Sequence, residues 1–238
     1  MWAAPALVWL LLAAAAAWWP TGYNYVVAED RAFEWVQVGS FAVAAAACLA
    51  LARSMRRRNA AGAIAAVVGC AFFTVVVGEE LAWGQRLFHV TVPALERVND
   101  QGDVSLHNVG AGLTLSQVGM LAVALAGLLS RPAIGWLDRR RGRSTPSELL
   151  TPLFVAPWFA LAAAFTAARL LVLPTPSHRV AKFSEVAELT LALAMAVTTV
   201  KLALAAARRQ GAAPPAPTPG SRLPTSRRAV GRAGRMPR

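Results

Sequence analysis

Six apolar runs of about 20 residues each constrain the fold of this chain more than any other feature. They cover residues 3–19, 33–52, 60–83, 107–129, 149–173 and 183–207. A helix of about 20 apolar residues crosses roughly 30 Å of hydrocarbon. Such runs exceed what a soluble core needs, and the chain is 56% hydrophobic but only 15% charged. The sequence therefore predicts an all-α fold, a polytopic membrane helix bundle with six transmembrane helices.

The first run could also be a signal peptide. It ends with Trp18 and Trp19, aromatic residues typical of a membrane interface, and it lacks the basic segment that usually precedes a signal sequence. We expect a retained first span, although the sequence leaves cleavage open.

Basic residues predict the orientation. The loops at 53–58 and 131–143 and the region from Lys201 onward hold 4, 5 and 9 of them, whereas the opposite side holds six. The positive-inside rule then places both termini in the cytoplasm. An Ala-rich composition with more Arg than Lys fits a GC-rich bacterial genome, and the expected location is a bacterial plasma membrane. The net charge is +12. The basic residues lie in short clusters between the apolar runs and in the tail, as residues that fix membrane orientation do. We therefore expect no binding of nucleic acid.

Two regions follow from this pattern. Residues 1–207 form the six-helix transmembrane domain, and residues 208–238 form a disordered basic cytoplasmic tail rich in Pro, Gly, Ser and Arg. The lipid bilayer is the expected partner, and the tail is a candidate for binding anionic lipid. The sequence does not indicate the oligomeric state.

Acidic residues are distributed in the opposite way. Ten of the twelve fall on the predicted outer side, and Glu79 and Glu80 end the third run at the outer edge of the hydrocarbon. Helical spacing predicts that Glu79, Trp83 and Arg86 share one face, while Glu80 points elsewhere. An ionisable residue at such a depth is a functional hypothesis.

Other helices bring polar residues to the same level, so a site is predicted there. The proposed catalytic residues are Glu79, Glu80, His107, Glu185 and Glu188. The proposed substrate-binding residues are Glu34, Trp83, Gln85, Arg86, Asn108 and Arg169.

Three interpretations of this cluster stay open. A membrane-embedded hydrolase or transferase would use a glutamate as general base and Arg86 or Arg169 to hold a lipid-linked or anionic substrate. A structural or accessory protein would use the charges as ion pairs that lock the helices together. A small-solute or proton-coupled transporter would need polar residues that continue towards the inner side, where the sequence is almost wholly apolar.

No pattern fixes a metal or a cofactor. Glu185-x-x-Glu188 is only half of a di-metal motif, and paired histidines or cysteines at metal-ligand spacing are missing from the sequence. Both the metal and the cofactor are therefore unknown at this point.

Two segments resemble a family of bacterial multi-pass membrane proteins. The shared pattern is Glu-Glu-x-x-Trp-Gly-Gln-Arg at residues 79–86, then Asn-x-Gln-Gly-acid at 99–103, then His107-Asn108. Asp103 stands where the family pattern has Glu, and Ala82 where it has Ser. The resemblance covers about residues 25–205 and implies membership of that family, but it implies no activity.

Overall fold

The chain folds into helices, as predicted. The computed structural model describes residues 3–27, 31–57, 59–88, 92–93, 105, 112–142, 144–172 and 178–211, and no strand occurs among them. The helices are α1 (Ala4–Trp18), α2 (Pro20–Val27), α3 (Ala32–Met55), α4 (Ala60–Glu80), α5 (Gln85–Phe88), α6 (Gly112–Arg141), α7 (Ala156–Leu171) and α8 (His178–Gly211). The all-α prediction is confirmed.

Five helical segments of the described chain are long and apolar enough to cross a membrane, as expected of a multi-pass membrane protein. They are Pro20–Met55, Ala60–Glu80, Thr114–Arg141, Ser147–Leu171 and Lys182–Gly211. The first apolar run forms the shorter α1, whose 15 residues extend about 22 Å at 1.5 Å per residue. That length falls short of the roughly 30 Å of hydrocarbon that the other spans can cross.

The centre of the bundle is the pair of α3 and α8. Helix α4 packs against α3, and α7 packs against α8 and carries α6 on its other side. Phe41, Phe73 and Ala192 belong to the apolar cluster between α3, α4 and α8. Phe159 and Leu191 belong to a second cluster between α6, α7 and α8. These two clusters fill the apolar middle of the bundle.

Helix α6 extends further than the sequence indicated. We expected a basic loop at 131–143, but the helix continues through Pro132 to Arg141. It ends at Gly142, whose φ of 59° is the left-handed conformation that commonly follows a helix. A change from apolar to basic residues marks a membrane boundary, and a helix can continue beyond such a boundary.

The bundle has two chemically different ends. The beginnings of α3 and α8 meet the ends of α4 and α7 at what we call the acidic end, where Gln37, Glu80, Arg169 and Glu188 lie. At the opposite end, the basic end, the Gln210 side chain near the end of α8 donates a hydrogen bond to the Ser54 carbonyl near the end of α3. The alternating helix directions thus separate most of the acidic residues from most of the arginines.

Candidate functional site

The candidate site at the acidic end is organised around one amide. The Nε2 atom of Gln37 on α3 donates to Glu80 Oε1 of α4 at 3.0 Å and lies 3.4 Å from Glu188 Oε2 of α8. Gln37 is only 2% exposed. A neutral donor between two carboxylates therefore joins three helices.

Two further charges act on this pair. Glu185 is close enough to Glu80 for the two carboxylates to repel each other, and the positive charge of Arg169 attracts Glu188. The Arg169 guanidinium on α7 also donates to Ser184 Oγ at 2.7 Å. The acidic end thus concentrates three carboxylates and one arginine where α3, α4, α7 and α8 meet.

Aromatic side chains from the N-terminal helices cover one side of the cluster. Tyr23 of α2 stacks on Phe183 with ring centroids 6.4 Å apart, and Trp9 of α1 packs edge-on against Phe183 at 5.3 Å. The Trp9 Nε1 donates to Thr190 Oγ1 at 2.9 Å. The Tyr23 hydroxyl is buried near Glu185. Helices α1 and α2 therefore shield the first turns of α8.

Glu79 faces a different partner from Glu80. Its Oε1 accepts a hydrogen bond of 2.6 Å from Trp83 Nε1. The indole ring lies over Gly78, since a Cβ there would come within 2.9 Å of a ring carbon. The two adjacent glutamates thus point to different neighbours, as helical geometry predicted.

A left-handed turn, not a helical face, produces this contact. Helix α4 ends at Glu80, and Ala82, Trp83 and Gly84 have φ values of 44°, 51° and 93°. The left-handed conformation costs a residue with a side chain on the order of 1–2 kcal/mol. The prediction that Glu79, Trp83 and Arg86 share a helical face was wrong, because the helix is already over at Trp83. The indole reaches Glu79 by folding back over Gly78.

A narrow recess opens beside Arg169 between α6, α7 and α8. Arg169, Ser184, Thr166 and Gln117 supply its polar lining, and Met120, Phe165 and Ala187 supply its apolar lining. The recess is too narrow for a water molecule in this conformation. The recess thus has both polar and apolar walls on the side of the acidic end where Arg169 lies.

The structure brings part of the predicted site together. Glu80 and Glu188 contact Gln37, Glu185 lies near Glu80, and Arg169 lies near Glu188. Glu34 lies one turn before Gln37 on α3 and is half-buried. Gln85 and Arg86 lie on α5, beyond the left-handed turn, and Glu79 with Trp83 forms a separate contact. The predicted residues His107 and Asn108 lie outside the described residues.

Sequence reasoning missed three residues of this arrangement: Gln37, Ser184 and Tyr23. A signal existed for Gln37, because it is the single amide inside the apolar run 33–52. Ser184 and Tyr23 carry no such signal, since a serine at the start of a helix and a tyrosine near an interface are common in any membrane protein.

Within the described ranges, no three His, Cys, Asp or Glu side chains are grouped closely enough to hold a metal ion. The carboxylates around Gln37 are instead held apart by an amide nitrogen. Comparisons with protein-family models, with curated proteins and with solved structures found no significant match to this chain.

Proposed function

We propose that this chain is a membrane-embedded hydrolase or transferase that acts on a lipid-linked or anionic substrate at the acidic end of the bundle. The observation that carries the proposal is the convergence of Glu80 and Glu188 on the Gln37 amide, with Arg169 beside them. Placing two carboxylates together in a largely apolar bundle is costly. A binding or catalytic role accounts for that cost.

A carboxylate pair can carry out general acid–base chemistry. One carboxylate takes a proton from an attacking hydroxyl group, and its protonated partner gives a proton to the leaving oxygen. The Gln37 amide touches both groups and would act as a positioning residue, because it fixes the distance between them. Glu80 and Glu188 are accordingly the proposed catalytic residues.

Arg169 would hold the negative charge of the substrate. Its guanidinium is largely buried and donates to Ser184, and a guanidinium can form paired hydrogen bonds with phosphate or carboxylate oxygens. It lines the recess between α6, α7 and α8. The anionic group of a lipid-linked substrate would bind at Arg169.

The proposal includes a place in the cell. With the basic end in the cytoplasm, as the positive-inside rule requires, the acidic end lies at the outer face of a bacterial plasma membrane and the C-terminus of α8 is cytoplasmic. The cytoplasmic N-terminus stays a prediction. Membership of the family with the Glu-Glu-x-x-Trp-Gly-Gln-Arg motif stays a prediction, as does the binding of anionic lipid by the tail.

The test measures whether the protein changes the lipid composition of liposomes, and whether this change requires Glu80 and Glu188. The protein is reconstituted in liposomes made from a total bacterial lipid extract, and lipid products are followed by mass spectrometry. Glu80→Gln and Glu188→Gln should each lower product formation at least 100-fold, the lower range for general acid–base catalysis. Glu148→Gln, at the basic end, is the matched control and should leave it unchanged.

If wild-type liposomes and protein-free liposomes keep the same lipid profile, the enzyme proposal is contradicted. Equal product formation by wild-type protein and the two active-site variants would contradict the role of the carboxylates.

One observation favours a second candidate, a structural protein. A single amide joins α3, α4 and α8, which is a way to lock helices together. In that case the isosteric Glu80→Gln and Glu188→Gln variants would change the thermal stability of the protein without affecting any lipid. The liposome assay combined with a melting curve separates the two candidates.

A further inference from the structure

A strongly charged surface lies at the basic end of the bundle, away from the site proposed above. It consists of eight exposed arginines at or just after the ends of three helices, which we call the basic rim: Arg53, Arg56 and Arg57 on α3, Arg139, Arg140 and Arg141 on α6, and Arg208 and Arg209 on α8. We propose that the basic rim docks anionic phospholipids, whose phosphate is not balanced by an ammonium group. This inference is independent of the proposed enzyme activity.

Contacts between the helix ends join these arginines into one surface. The end of α8 is hydrogen-bonded to the Ser54 carbonyl of α3, and Arg209 pairs with Glu148 at 2.6 Å. In the same connecting segment as Glu148, the Thr145 backbone N–H donates to Asp138 near the end of α6. The ends of α3, α8 and α6 are thus linked in turn, and the basic rim is continuous.

The acidic residues of this end do not balance the basic rim. Glu148 is paired with one arginine, Arg209. The Asp138 carboxylate accepts from both the backbone N–H and the hydroxyl of Thr145, at 2.5 and 3.1 Å. Eight arginines therefore share two carboxylates, one of which is already engaged by a neutral partner. The excess positive charge favours an anionic partner from outside the chain.

The end of α3 carries the densest part of the basic rim. Arg53 precedes Arg56 by three positions and Arg57 by four, the spacing at which side chains on a helix are neighbours and like charges destabilise it. Only residues 56–59 separate α3 from α4, so the three guanidinium groups are held beside the ends of two spans. A phosphate bound between them would reduce the repulsion and accept paired hydrogen bonds from a guanidinium.

The position of the basic rim favours a lipid over other anions. The helical segments Pro20–Met55, Thr114–Arg141 and Lys182–Gly211, which are long and apolar enough to cross a membrane, all end at this surface. The exposed Trp136 ring lies 3.9 Å from the Arg140 guanidinium, and tryptophan is enriched where a membrane meets water. The arginines are therefore at the level of the phospholipid phosphates. Clusters of arginine next to a membrane span typically bind anionic lipids.

Charge complementarity also predicts which lipids bind. A basic residue close to an anionic membrane surface strengthens binding by roughly fivefold. A phosphatidylcholine head group carries an ammonium that cancels its phosphate charge, whereas phosphatidylglycerol keeps a net negative charge. We expect phosphatidylglycerol to bind at least tenfold tighter than phosphatidylcholine. This preference should disappear in 1 M salt, because exposed charges are then screened.

The experiment measures binding to the full chain in a neutral detergent by microscale thermophoresis. The probes are short-chain phosphatidylglycerol, short-chain phosphatidylcholine, inorganic phosphate and a single-stranded DNA oligonucleotide. Phosphatidylglycerol should bind most tightly. Equal binding of the two lipids, or a preference that persists in 1 M salt, overturns the inference. Inorganic phosphate that binds as tightly as phosphatidylglycerol, or an oligonucleotide that displaces this lipid at equal concentration, also overturns it.

Matched variants distinguish the basic rim from the C-terminal tail. The first variant replaces the arginines of α3 together: R53Q, R56Q and R57Q. It should weaken phosphatidylglycerol binding at least tenfold. The control removes the same charge from the tail and should change binding less than threefold: R227Q, R228Q and R232Q. If the control loses as much affinity as the first variant, the tail carries the binding and the inference is overturned.

A second rim variant keeps the test decisive if the first does not fold. Arg139→Gln combined with Arg141→Gln removes two charges from α6 and should weaken phosphatidylglycerol binding at least threefold. Thermal unfolding in the same detergent establishes that each variant is folded. Unchanged binding by a folded rim variant contradicts the proposal.

Discussion

The two ends of the bundle use charged residues in opposite ways. At the acidic end, Glu80, Glu188 and Arg169 are directed inward, and Gln37 joins three helices by hydrogen bonds with nitrogen–oxygen distances of 3.0 and 3.4 Å. At the basic end, the ion pair between Arg209 and Glu148 has a short N–O distance of 2.6 Å, but its side chains are 42% and 61% exposed. The shorter distance therefore does not make the exposed ion pair the stronger contact, because the free energy of such contacts depends on how far they are buried.

The other contacts of the basic end are also local or peripheral. The Asp138 carboxylate accepts from the Thr145 backbone N–H at 2.5 Å and closes the turn after α6. The Arg140 guanidinium lies 3.9 Å from the centre of the Trp136 ring in its own helix. Such arginines can set the orientation of the protein without forming a buried site, whereas the acidic end places charges where helices touch.

The largest effect is expected at the amide of the acidic end. Gln37→Leu leaves Glu80 and Glu188 without their shared donor, which should lower the free energy of unfolding by about 3 kcal/mol, the upper range for losing hydrogen bonds to a charged group. Thermal unfolding in detergent measures the change. The control is Ser40→Ala, one turn further on α3, whose hydroxyl donates to Val36 of its own helix and whose loss should cost about 1 kcal/mol. Equal losses for the two variants would show that the Gln37 bridge contributes no more than a hydrogen bond within one helix.

A substitution that disturbs packing in the apolar middle of the bundle should have a stability effect between those expected at the acidic end and at the basic end. A Cβ added to Gly127 would lie 2.5 Å from the buried Phe159 ring, so Gly127→Ala should destabilise the contact of α6 with α7 by about 2 kcal/mol. Gly119→Ala on the same helix meets no atom within 4 Å and should stabilise the protein by up to about 1 kcal/mol. Melting temperatures that move in the same direction would contradict the packing of Phe159 on Gly127.

A smaller effect is expected at the partly exposed rim of the acidic end. Trp83→Phe keeps a ring over Gly78 but removes the hydrogen bond to Glu79, and it should cost about 1 kcal/mol. Trp136→Phe at the basic end is the matched substitution and should cost less than about 0.5 kcal/mol, because a phenyl ring keeps part of the attraction to Arg140. Chemical denaturation of both variants measures whether Trp83→Phe costs more stability than Trp136→Phe.

The smallest effect is expected for the ion pair of the basic end. Glu148→Gln removes the partner of Arg209, and an exposed pair of this kind contributes about 0.5 kcal/mol or less. The loss should disappear in 1 M salt, where exposed charges are screened. If Glu148→Gln lowered the free energy of unfolding as much as Gln37→Leu does, burial would not explain the difference between the two ends.

Hydropathy located the apolar helices, because the thickness of the bilayer fixes the length of an apolar run, and five of the six predicted spans are long enough to cross a membrane. It also predicted that Glu80, Glu188 and Arg169 would reach one level. It could not show which side chain joins them, since helix rotation depends on packing, so Gln37 was missed. The left-handed turn at Ala82 and Trp83 was missed for a similar reason: residues with side chains rarely adopt it, and only the surrounding contacts hold it in place.

The bridge made by Gln37 also has a consequence for biosynthesis. Its partner Glu80 follows 43 residues later in the chain, but Glu188 follows 151 residues later. At translation rates of about 5–20 residues per second, the hairpin of α3 and α4 exists for on the order of ten seconds before α8 is made. The Gln37 amide can donate to Glu80 during this interval. The contact with Glu188 forms when α8 has been inserted. The nascent chain thus acquires the second carboxylate of this pair only after α8 has been synthesised.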